Sequence, residues 1–322
     1  WLEDDWWPGE DWWFEEGPVF CGCNSLTNIT VDSGNPRYSS RDGLLLEQDG
    51  TMLLQGVNGD VMIPDSVTSI GSYAFSGCSG LTSVTIPVGV TDIGWKVFEG
   101  CVGLTNITVD AGNPNYSSQN GMLLTKDGGR LLCAAVINGA AEIPSGVTSI
   151  DYDAFHGHSG LTSVTIPDSM THISGYWFHG CSSLTNITVD AENPCYSSRN
   201  GLLLNKNGSK LVLGVNGDVV IPSGVTRISY EAFDGCSGLT SVAIPDGVTR
   251  IEGYAFEGCI GLTSVTIPSS VTYIGHAAFA GCSGLVHMRL PRRFERISDL
   301  REDGNGDEGD VFSFSGCNED LV

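Results

Sequence analysis

Residues 63–85 read IPDSVTSIGSYAFSGCSGLTSVT, and this stretch recurs almost unchanged along the chain. Each copy is 23 residues long, and the full copies begin at Ile63, Ile86, Ile143, Ile166, Ile221, Ile244 and Ile267. A fixed period in the twenties is typical of a solenoid, because one coil cannot bury its apolar side chains alone and stacking on the next coil supplies the core. The repeat therefore predicts a solenoid.

The pattern within one copy predicts β-structure. In the segment LTSVTI (81–86) the apolar residues are separated by Ser and Thr, as in a strand with one buried face. Pro87 ends that strand because it cannot donate to a continuing ladder. A second short extended piece is expected in the VTxI segment, and the Ala-Phe pair at 74–75 is expected to fill the core. No stretch of the repeat has the period of a long helix.

Three longer units interrupt the short copies, each with Asn-Pro, then Tyr-Ser-Ser, then two apolar runs around a turn. The residues that precede these units are Val31, Val109 and Val189. The turn pairs are Asp49-Gly50, Asp127-Gly128 and Asn207-Gly208. Such a pair between apolar runs predicts a β-hairpin. Each long unit is therefore predicted to be a coil with a hairpin built into it.

Composition excludes several classes of partner. The 322 residues include 38 acidic and 15 basic side chains, a net charge of −23, which disfavours nucleic acid and anionic membrane surfaces. There is no run of 18 apolar residues, so no transmembrane helix is predicted. Because the chain begins with Trp1 and enters the repeat part-way through a coil, we expect it to be a fragment or a processed product.

The cysteines follow the phase of the repeat. Eight of the 11 share one repeat position, namely Cys23, Cys78, Cys101, Cys181, Cys236, Cys259, Cys282 and Cys317. His158 takes that position in one coil. Equivalent residues of stacked coils lie roughly 5 Å apart, so we predict a ladder of buried, reduced thiols; disulfides between neighbouring coils are the alternative. Cys21, Cys133 and Cys195 fall outside the ladder and are expected to be the more reactive thiols.

We divide the chain into three parts. Residues 1–19 form an acidic, Trp-rich flank that we expect to be poorly ordered, residues 20–290 form the solenoid, and residues 291–322 form an atypical C-terminal coil with an acidic insert. Within that insert, Asp303 to Asp307 has the alternating oxygen groups of a calcium loop. It lacks the glycine and the glutamate that complete such a loop, so a solvated acidic loop is favoured.

The pattern LxxVxIPxxVxxIGxxAFxxC at period 23, together with the NPxYSSxxGxL unit, resembles the BspA-like leucine-rich repeats over roughly residues 20 to 317. The resemblance implies a right-handed solenoid with short parallel strands. It also implies a cell-surface or secreted protein that acts in adhesion and protein binding, in bacteria or some protists. It brings no catalytic residues with it.

The sequence offers no set of polar groups that points to catalysis. An enzyme needs convergent, non-repeated groups in a pocket, and no nucleophile with a nearby base has local support, so we predict no enzymatic activity, no cofactor and no metal site. His156 and His179 share a repeat position in adjacent coils and are expected to lie within about 5 Å of each other. Two stacked surface histidines are favoured there over a metal site.

The variable positions of the repeat point to binding. We predict a protein-binding surface from Trp95, His172, Tyr176, Arg227, Tyr230, Arg250, Tyr254 and Tyr273. Aromatic and charged side chains on a rigid array suit protein recognition. The alternative is ordinary surface variation, in which the arginines are neutralised by the nearby residues Glu231, Asp246 and Glu252.

We therefore predict a protein-interaction or adhesion module that binds an unidentified protein through a rigid repeat surface. It is expected to be a monomer, to bind no nucleic acid and to insert in no membrane. The alternative is a structural spacer that displays another domain of a longer chain.

Overall fold

The computed structural model describes residues 20, 23, 25–135, 138–151, 154–173 and 175–292. The flank at 1–19, the C-terminal coil beyond Arg292, Cys21, Cys317 and the acidic insert with Asp303 to Asp307 lie outside the described residues. The predictions made for those segments therefore stay predictions.

The described chain is a mainly β solenoid. A single turn of 3-10 helix covers Gly175–Phe178. The strands are β1 (Tyr38–Arg41), β2 (Leu44–Glu47), β3 (Met52–Gln55), β4 (Gly59–Met62), β5 (Ser69–Ile70), β6 (Leu81–Ile86), β7 (Asp92–Ile93), β8 (Asn106–Val109), β9 (Tyr116–Gln119), β10 (Met122–Thr125), β11 (Arg130–Ala134), β12 (Gly139–Glu142), β13 (Ser149–Ile150), β14 (Leu161–Ile166), β15 (Asn186–Val189), β16 (Tyr196–Arg199), β17 (Leu202–Asn205), β18 (Lys210–Leu213), β19 (Gly217–Val220), β20 (Arg227–Ile228), β21 (Leu239–Ala243), β22 (Arg250–Ile251), β23 (Ser264–Thr266), β24 (Tyr273–Ile274) and β25 (His287–Arg289).

A short coil has three sides, and two of them carry strands in most of the described coils; the coil 166–188 has no strand in its VTxI segment. The LTSVTI strands pair in parallel from coil to coil, in the orders β4-β6-β8, β12-β14-β15, β19-β21 and β23-β25. Their apolar residues point inward, so that Val84 stacks on Ile107 in register. The VTxI segments form the second side. Their two-residue strands pair with one another and with a longer strand of the preceding long unit, in the orders β3-β5-β7, β11-β13 and β18-β20-β22-β24. This is the alternation predicted from the sequence, and it is confirmed.

The third side is the AFxGC segment, which is held by backbone hydrogen bonds without forming strands. The amide of Phe233 donates to the carbonyl of Ala255 (2.8 Å), and the amide of Phe256 donates to the carbonyl of Ala278 (2.7 Å). The rings of Phe233 and Phe256 stack face to face with centroids 4.8 Å apart. Both side chains are fully buried, which confirms the predicted role of the Ala-Phe pair as core filler.

In five described coils the residue two positions before the core Phe has a left-handed backbone. Its φ lies between 49° and 61° at Tyr73, Lys96, Glu231, Tyr254 and Ala277. A side chain in this region costs on the order of 1 kcal/mol. The conformation also aims the amide of Tyr254 at the carbonyl of His276, 2.9 Å away in the next coil, and this hydrogen bond recurs along the side. The strain is thus tied to the hydrogen bonding that joins successive coils.

The long units contain more structure than the sequence analysis predicted. The expected hairpin is present, since β2 pairs antiparallel with β3 and Gly50 closes the turn between them. A second hairpin precedes it, in which β1 pairs with β2 around Asp42-Gly43, both with positive φ. Asn120-Gly121 and Asn200-Gly201 make the same turn in the other two units. An Asp-Gly or Asn-Gly pair is again the sequence signal, but Tyr-Ser-Ser on one side of it is not an apolar run, so the pattern of a turn between two apolar runs does not predict this hairpin.

The recurring Asn-Pro has a structural role. Asn113 is fully buried and its amide nitrogen donates to the carbonyls of Pro87 and Val90, both at 2.9 Å. Its side-chain oxygen accepts from the amides of Asn115 and Tyr116. Asn193 makes the same contacts in the third long unit. A buried amide that satisfies four backbone groups thus fixes the entry of the second and third long units.

The thiol ladder is buried along most of its length. The buried members are Cys78, Cys101, Cys181, Cys259 and Cys282. Cys236 is half-buried, and Cys23 is exposed, contrary to prediction, because it lies at the N-terminal edge of the described solenoid. These residues are free thiols. Burial raises the pKa of Cys181 to about 12, so its thiol is protonated at neutral pH.

Candidate functional site

A row of cations crosses the C-terminal half of the VTxI side. Lys210 lies opposite Arg227, Arg227 opposite Arg250, and Arg250 opposite Tyr273, in the register of β18, β20, β22 and β24. Parallel strands place such equivalents about 5 Å apart. The corresponding rows elsewhere are Met52-Ser69-Asp92 and Arg130-Ser149. The concentration of positive charge in one row is therefore a feature of this part of the solenoid.

Glu252 connects the two arginines of that row. Its carboxylate accepts from Nε of Arg227 at 2.6 Å and from Nε of Arg250 at 3.0 Å. The guanidinium of Arg250 also lies over the ring of Tyr273, 3.9 Å from the ring centroid. The expected alternative, that nearby carboxylates neutralise the arginines, is thus right for Glu252. One carboxylate between two guanidinium groups still leaves the cluster positive.

An aromatic edge runs beside the cationic row. Tyr230 and Tyr254 meet edge to face with centroids 5.4 Å apart, and Tyr254 meets His276 in the same way at 5.2 Å. Tyr230 is 56% exposed. Its ring packs on the backbone of Gly253, where a Cβ would lie 3.4 Å from Cε2. Because Gly253 follows Glu252, the aromatic edge and the arginine cluster form one continuous surface.

The phenol of Tyr230 is held in its protonated form. Burial raises its pKa, and the carboxylate of Glu231 next to it raises it further. A protonated phenol both donates and accepts hydrogen bonds, while its ring offers apolar area. The surface therefore combines planar cations, phenol groups and exposed rings, a composition that is common in the energetically important parts of protein interfaces.

The structure brings together five of the eight residues predicted from the sequence. These are Arg227, Tyr230, Arg250, Tyr254 and Tyr273, and we call them, with Lys210 and Glu252, the arginine-tyrosine surface. Trp95 lies apart in the N-terminal half, 60% exposed, with its ring against Tyr73 (6.1 Å) and the ammonium of Lys96 above it (5.1 Å). His172 is exposed and lies outside the named strands. The backbone of Tyr176 lies in the 3-10 helix, and its side chain is not described.

Lys210 was not predicted. It lies in a long unit, outside the short repeat whose period relates Arg227 to Arg250. Its register with Arg227 becomes visible only once β18 is known to pair with β20. The sequence signal for Lys210 is the similarity between the second apolar run of each long unit and the VTxI segment, since aligning the two places Lys210 opposite Arg227.

The described residues hold no group of three or more His, Cys, Asp or Glu side chains placed to bind a metal ion. His156 and His179 stack as predicted, with centroids 5.4 Å apart and an angle of 2° between the rings. Within the described part of the chain, no helix is both long enough and apolar enough to span a bilayer.

Several solved bacterial leucine-rich repeat structures are similar to this chain. A leucine-rich repeat protein from Eubacterium ventriosum is 23% identical over 72% of this chain and 66% of its own, with a TM-score of 0.49. A leucine rich cell surface protein from Faecalibacterium prausnitzii is 21% identical over 80% and 89%, with a TM-score of 0.38. The pneumococcal vaccine antigen PcpA is 15% identical over 82% and 75%, with a TM-score of 0.38. This chain thus spans about two thirds of the length of the Eubacterium protein, and no curated protein matches it.

The family of BspA type leucine rich repeat regions matches in six copies, over residues 58–120, 138–200 and 216–300. These ranges cover more than half of the chain and include both strand-bearing sides of the solenoid. Repeats of this type indicate a protein-interaction or surface repeat module, and such solenoids are typically non-enzymatic. The chain belongs to the BspA type leucine-rich repeat family.

Proposed function

We propose that this protein is the binding module of a cell-surface or secreted adhesion protein, and that it holds a protein partner through the arginine-tyrosine surface. The observation that carries the proposal is the pairing of Arg227 and Arg250 in register on a chain of net charge −23. Two like charges at this spacing repel each other, and the ion pairs that both arginines make with Glu252 involve half-exposed side chains, where such pairs add little to folding. A partner that presents carboxylates would be attracted to this row of cations.

The chemistry of the surface suits a rigid protein partner. Guanidinium groups bind carboxylates through bidentate hydrogen bonds, and the neighbouring rings add apolar contact and cation–π attraction. Glu252 and Tyr273 hold the arginines in place before binding, so little side-chain entropy is lost on association. The backbone hydrogen bonds of the solenoid keep the row itself rigid. The partner is therefore expected to be acidic, and one copy of this chain is expected to bind it.

The test uses an array of purified extracellular proteins probed with the monomeric chain. A partner that binds here should lose more than tenfold in affinity for the R227A/R250A variant, while the melting temperature changes little. The R227K/R250K variant keeps the charge that faces Glu252 but not the planar fork, so it should lose affinity with the fold intact. Arg199, at the edge of a hairpin, provides the matched control R199A, which should bind as the wild type does.

Unchanged affinity in R227A/R250A would remove this surface from consideration. A large drop in melting temperature in R227K/R250K would show that the arginines serve the fold. Absence of any partner across the array would favour the spacer, in which the solenoid only displays a neighbouring domain.

A further inference from the structure

The long units lack the third side of the solenoid. In a short coil the chain passes from the VTxI strand to the LTSVTI strand by way of the AFxGC segment. In the third long unit it passes from β18 directly to β19 through residues 214–216, and in the middle long unit β11 ends at Ala134 and β12 begins at Gly139. Wherever a long unit separates two short coils, two AFxGC segments therefore face each other across a gap one coil thick.

The described chain contains two such gaps with short coils on both sides. The first lies between coils 86–108 and 143–165, and the second lies between coils 166–188 and 221–243. The residue before the Phe of AFxGC is Ala in most coils. In the coils that precede the two gaps it is Val97 and Trp177, respectively. The two gaps thus share one architecture and differ in the side chain available to fill them.

The second gap is closed. Trp177 is buried, at 7% exposure, and a cavity of only about 10 Å³ remains nearby. On the same side, the ring of His179 packs so tightly on Gly235 that a Cβ there would lie 2.6 Å from its Cδ2. Trp177 occupies the repeat position of Val97, which lines the first gap, so an indole and an imidazole are available to take up the space of the missing layer.

The first gap is open. It holds a cavity of about 950 Å³, which we call the Val97 cavity. A Cβ at Gly157, the equivalent of Gly235, would meet nothing within 4 Å. Cavities of several hundred Å³ are the size of small-molecule sites, and proteins rarely leave such a volume unfilled in their cores.

The lining of the cavity combines an apolar interior with a charged entrance. Its interior includes Val97, Phe98, Leu104, Leu123, Leu132 and Ala154. At the entrance, Lys96 pairs with Glu99 at 2.9 Å, and Arg130 pairs with Asp151. Because these charges are paired with each other, the entrance favours neither anionic nor cationic ligands. The residues of the interior therefore determine which ligand binds.

One polar group of the interior is unsatisfied. His158 lines the cavity and is only 8% exposed. Its Nδ1 has no hydrogen-bond partner. In neighbouring coils a cysteine stands here, and its thiol donates to a backbone carbonyl, as Cys181 does to Phe155 at 3.1 Å. A buried polar atom without a partner is costly unless something else binds it. The exchange of Cys for His therefore falls in the coil that borders the open gap.

We propose that the Val97 cavity binds a planar aromatic small molecule, whose ring system takes the place of the indole that Trp177 supplies at the equivalent repeat position before the second gap, and whose polar group bonds to the imidazole of His158. The sister gap of the same chain shows which chemistry closes this architecture. The proposal is independent of the arginine-tyrosine surface, which lies on the VTxI side of later coils. A bound ring would also join the coils on either side of the gap.

The experiment measures binding of indole, naphthalene and decanoate to the full chain by calorimetry and ligand-detected magnetic resonance. Wild type should bind one molecule of indole. V97W, which copies the second gap, should bind at least tenfold more weakly and melt at a higher temperature. V286W adds the same indole at an exposed site of the last coil and should bind like wild type. H158F should weaken indole about tenfold and naphthalene less than twofold, since only indole has a polar hydrogen.

W177V opens the second gap and should raise the number of bound indole molecules from one to two. If V97W fails to fold, W177V still tests whether an open gap of this kind binds indole. Failure of indole and naphthalene to bind wild type at millimolar concentration would overturn the proposal, as would binding to V97W within twofold of wild type. Decanoate bound in preference to both aromatic probes would overturn the assigned class of ligand.

Discussion

The carbonyl oxygen of Phe233 accepts a hydrogen bond from the thiol of Cys259, 3.2 Å away in the next coil. The same carbonyl accepts from the amide of Cys236 in its own coil. Each ladder cysteine of this kind therefore ties two coils together at the AFxGC turn. Only a small donor fits there, which accounts for the fixed phase of cysteine in the repeat.

We expect the ladder thiols to be reduced and slow to react. Burial raises the pKa of Cys101 and Cys181, so little thiolate forms near neutral pH. Titration of the native protein with a thiol reagent should modify few groups, and Cys195, which is exposed, should be among the first. The denatured protein should show nearly 11 thiols. Most thiols missing after denaturation without reductant would contradict the reduced ladder.

Phe233→Ala should destabilise the solenoid locally by about 3–5 kcal/mol, because it removes a fully buried ring and its stack with Phe256. Coils of a solenoid contact only their neighbours, so the loss of protection should spread by one or two coils. Hydrogen exchange read by mass spectrometry gives the profile along the chain. Uniform loss from end to end would show that the stack unfolds as one unit. Tyr230→Ala, which truncates an exposed ring of the same coil, provides the control.

Gly214 and Gly56 allow the Phe ring of the following coil to approach the backbone. A Cβ at Gly214 would lie 2.0 Å from Cε1 of Phe233, so Gly214→Ala should cost about 1–3 kcal/mol through overpacking. The middle long unit carries Ala134 at this position, beside the Val97 cavity. Gly129→Ala is the matched control, because Thr51 and Ser209 stand there in the other long units. Chemical unfolding should leave that control close to wild type, and equal losses in both variants would exclude overpacking as the cause.

The repeat was enough to predict the strands, the buried Phe row and the register of Arg227 with Arg250. Each follows from a local sequence pattern that recurs at a fixed period. The Val97 cavity could not be predicted in this way, because it arises where a long unit lacks the AFxGC side of the solenoid. No motif in the sequence of that unit indicates that this side is missing. The bridging position of Glu252 likewise depends on side-chain directions across two coils. The repeat period thus predicts the fold, while the candidate sites lie where the sequence departs from the repeat.

His158 should make the stability of the solenoid depend on pH. Burial lowers the pKa of its imidazole, and with a smaller contribution from the neighbouring His156 the pKa falls to about 4. In the unfolded chain the pKa of a histidine is about 6.5. Between pH 6.5 and 4 the unfolded state therefore binds more protons than the folded state. The contribution of the neutral imidazole is fully present above pH 6.5 and is lost as the pH falls toward 4.

The loss over that window should be about 3 kcal/mol, from roughly 1.4 kcal/mol for each unit of pKa difference. His158→Cys restores the residue found in the other coils and removes the titrating group, so the carboxylates and the remaining histidines act equally in both proteins. Urea unfolding at pH 7, 6, 5 and 4.5 should show the midpoint of the wild type falling relative to that of the variant. If the two midpoints fall in parallel, His158 is not the group that titrates, and its unpartnered nitrogen is satisfied in solution.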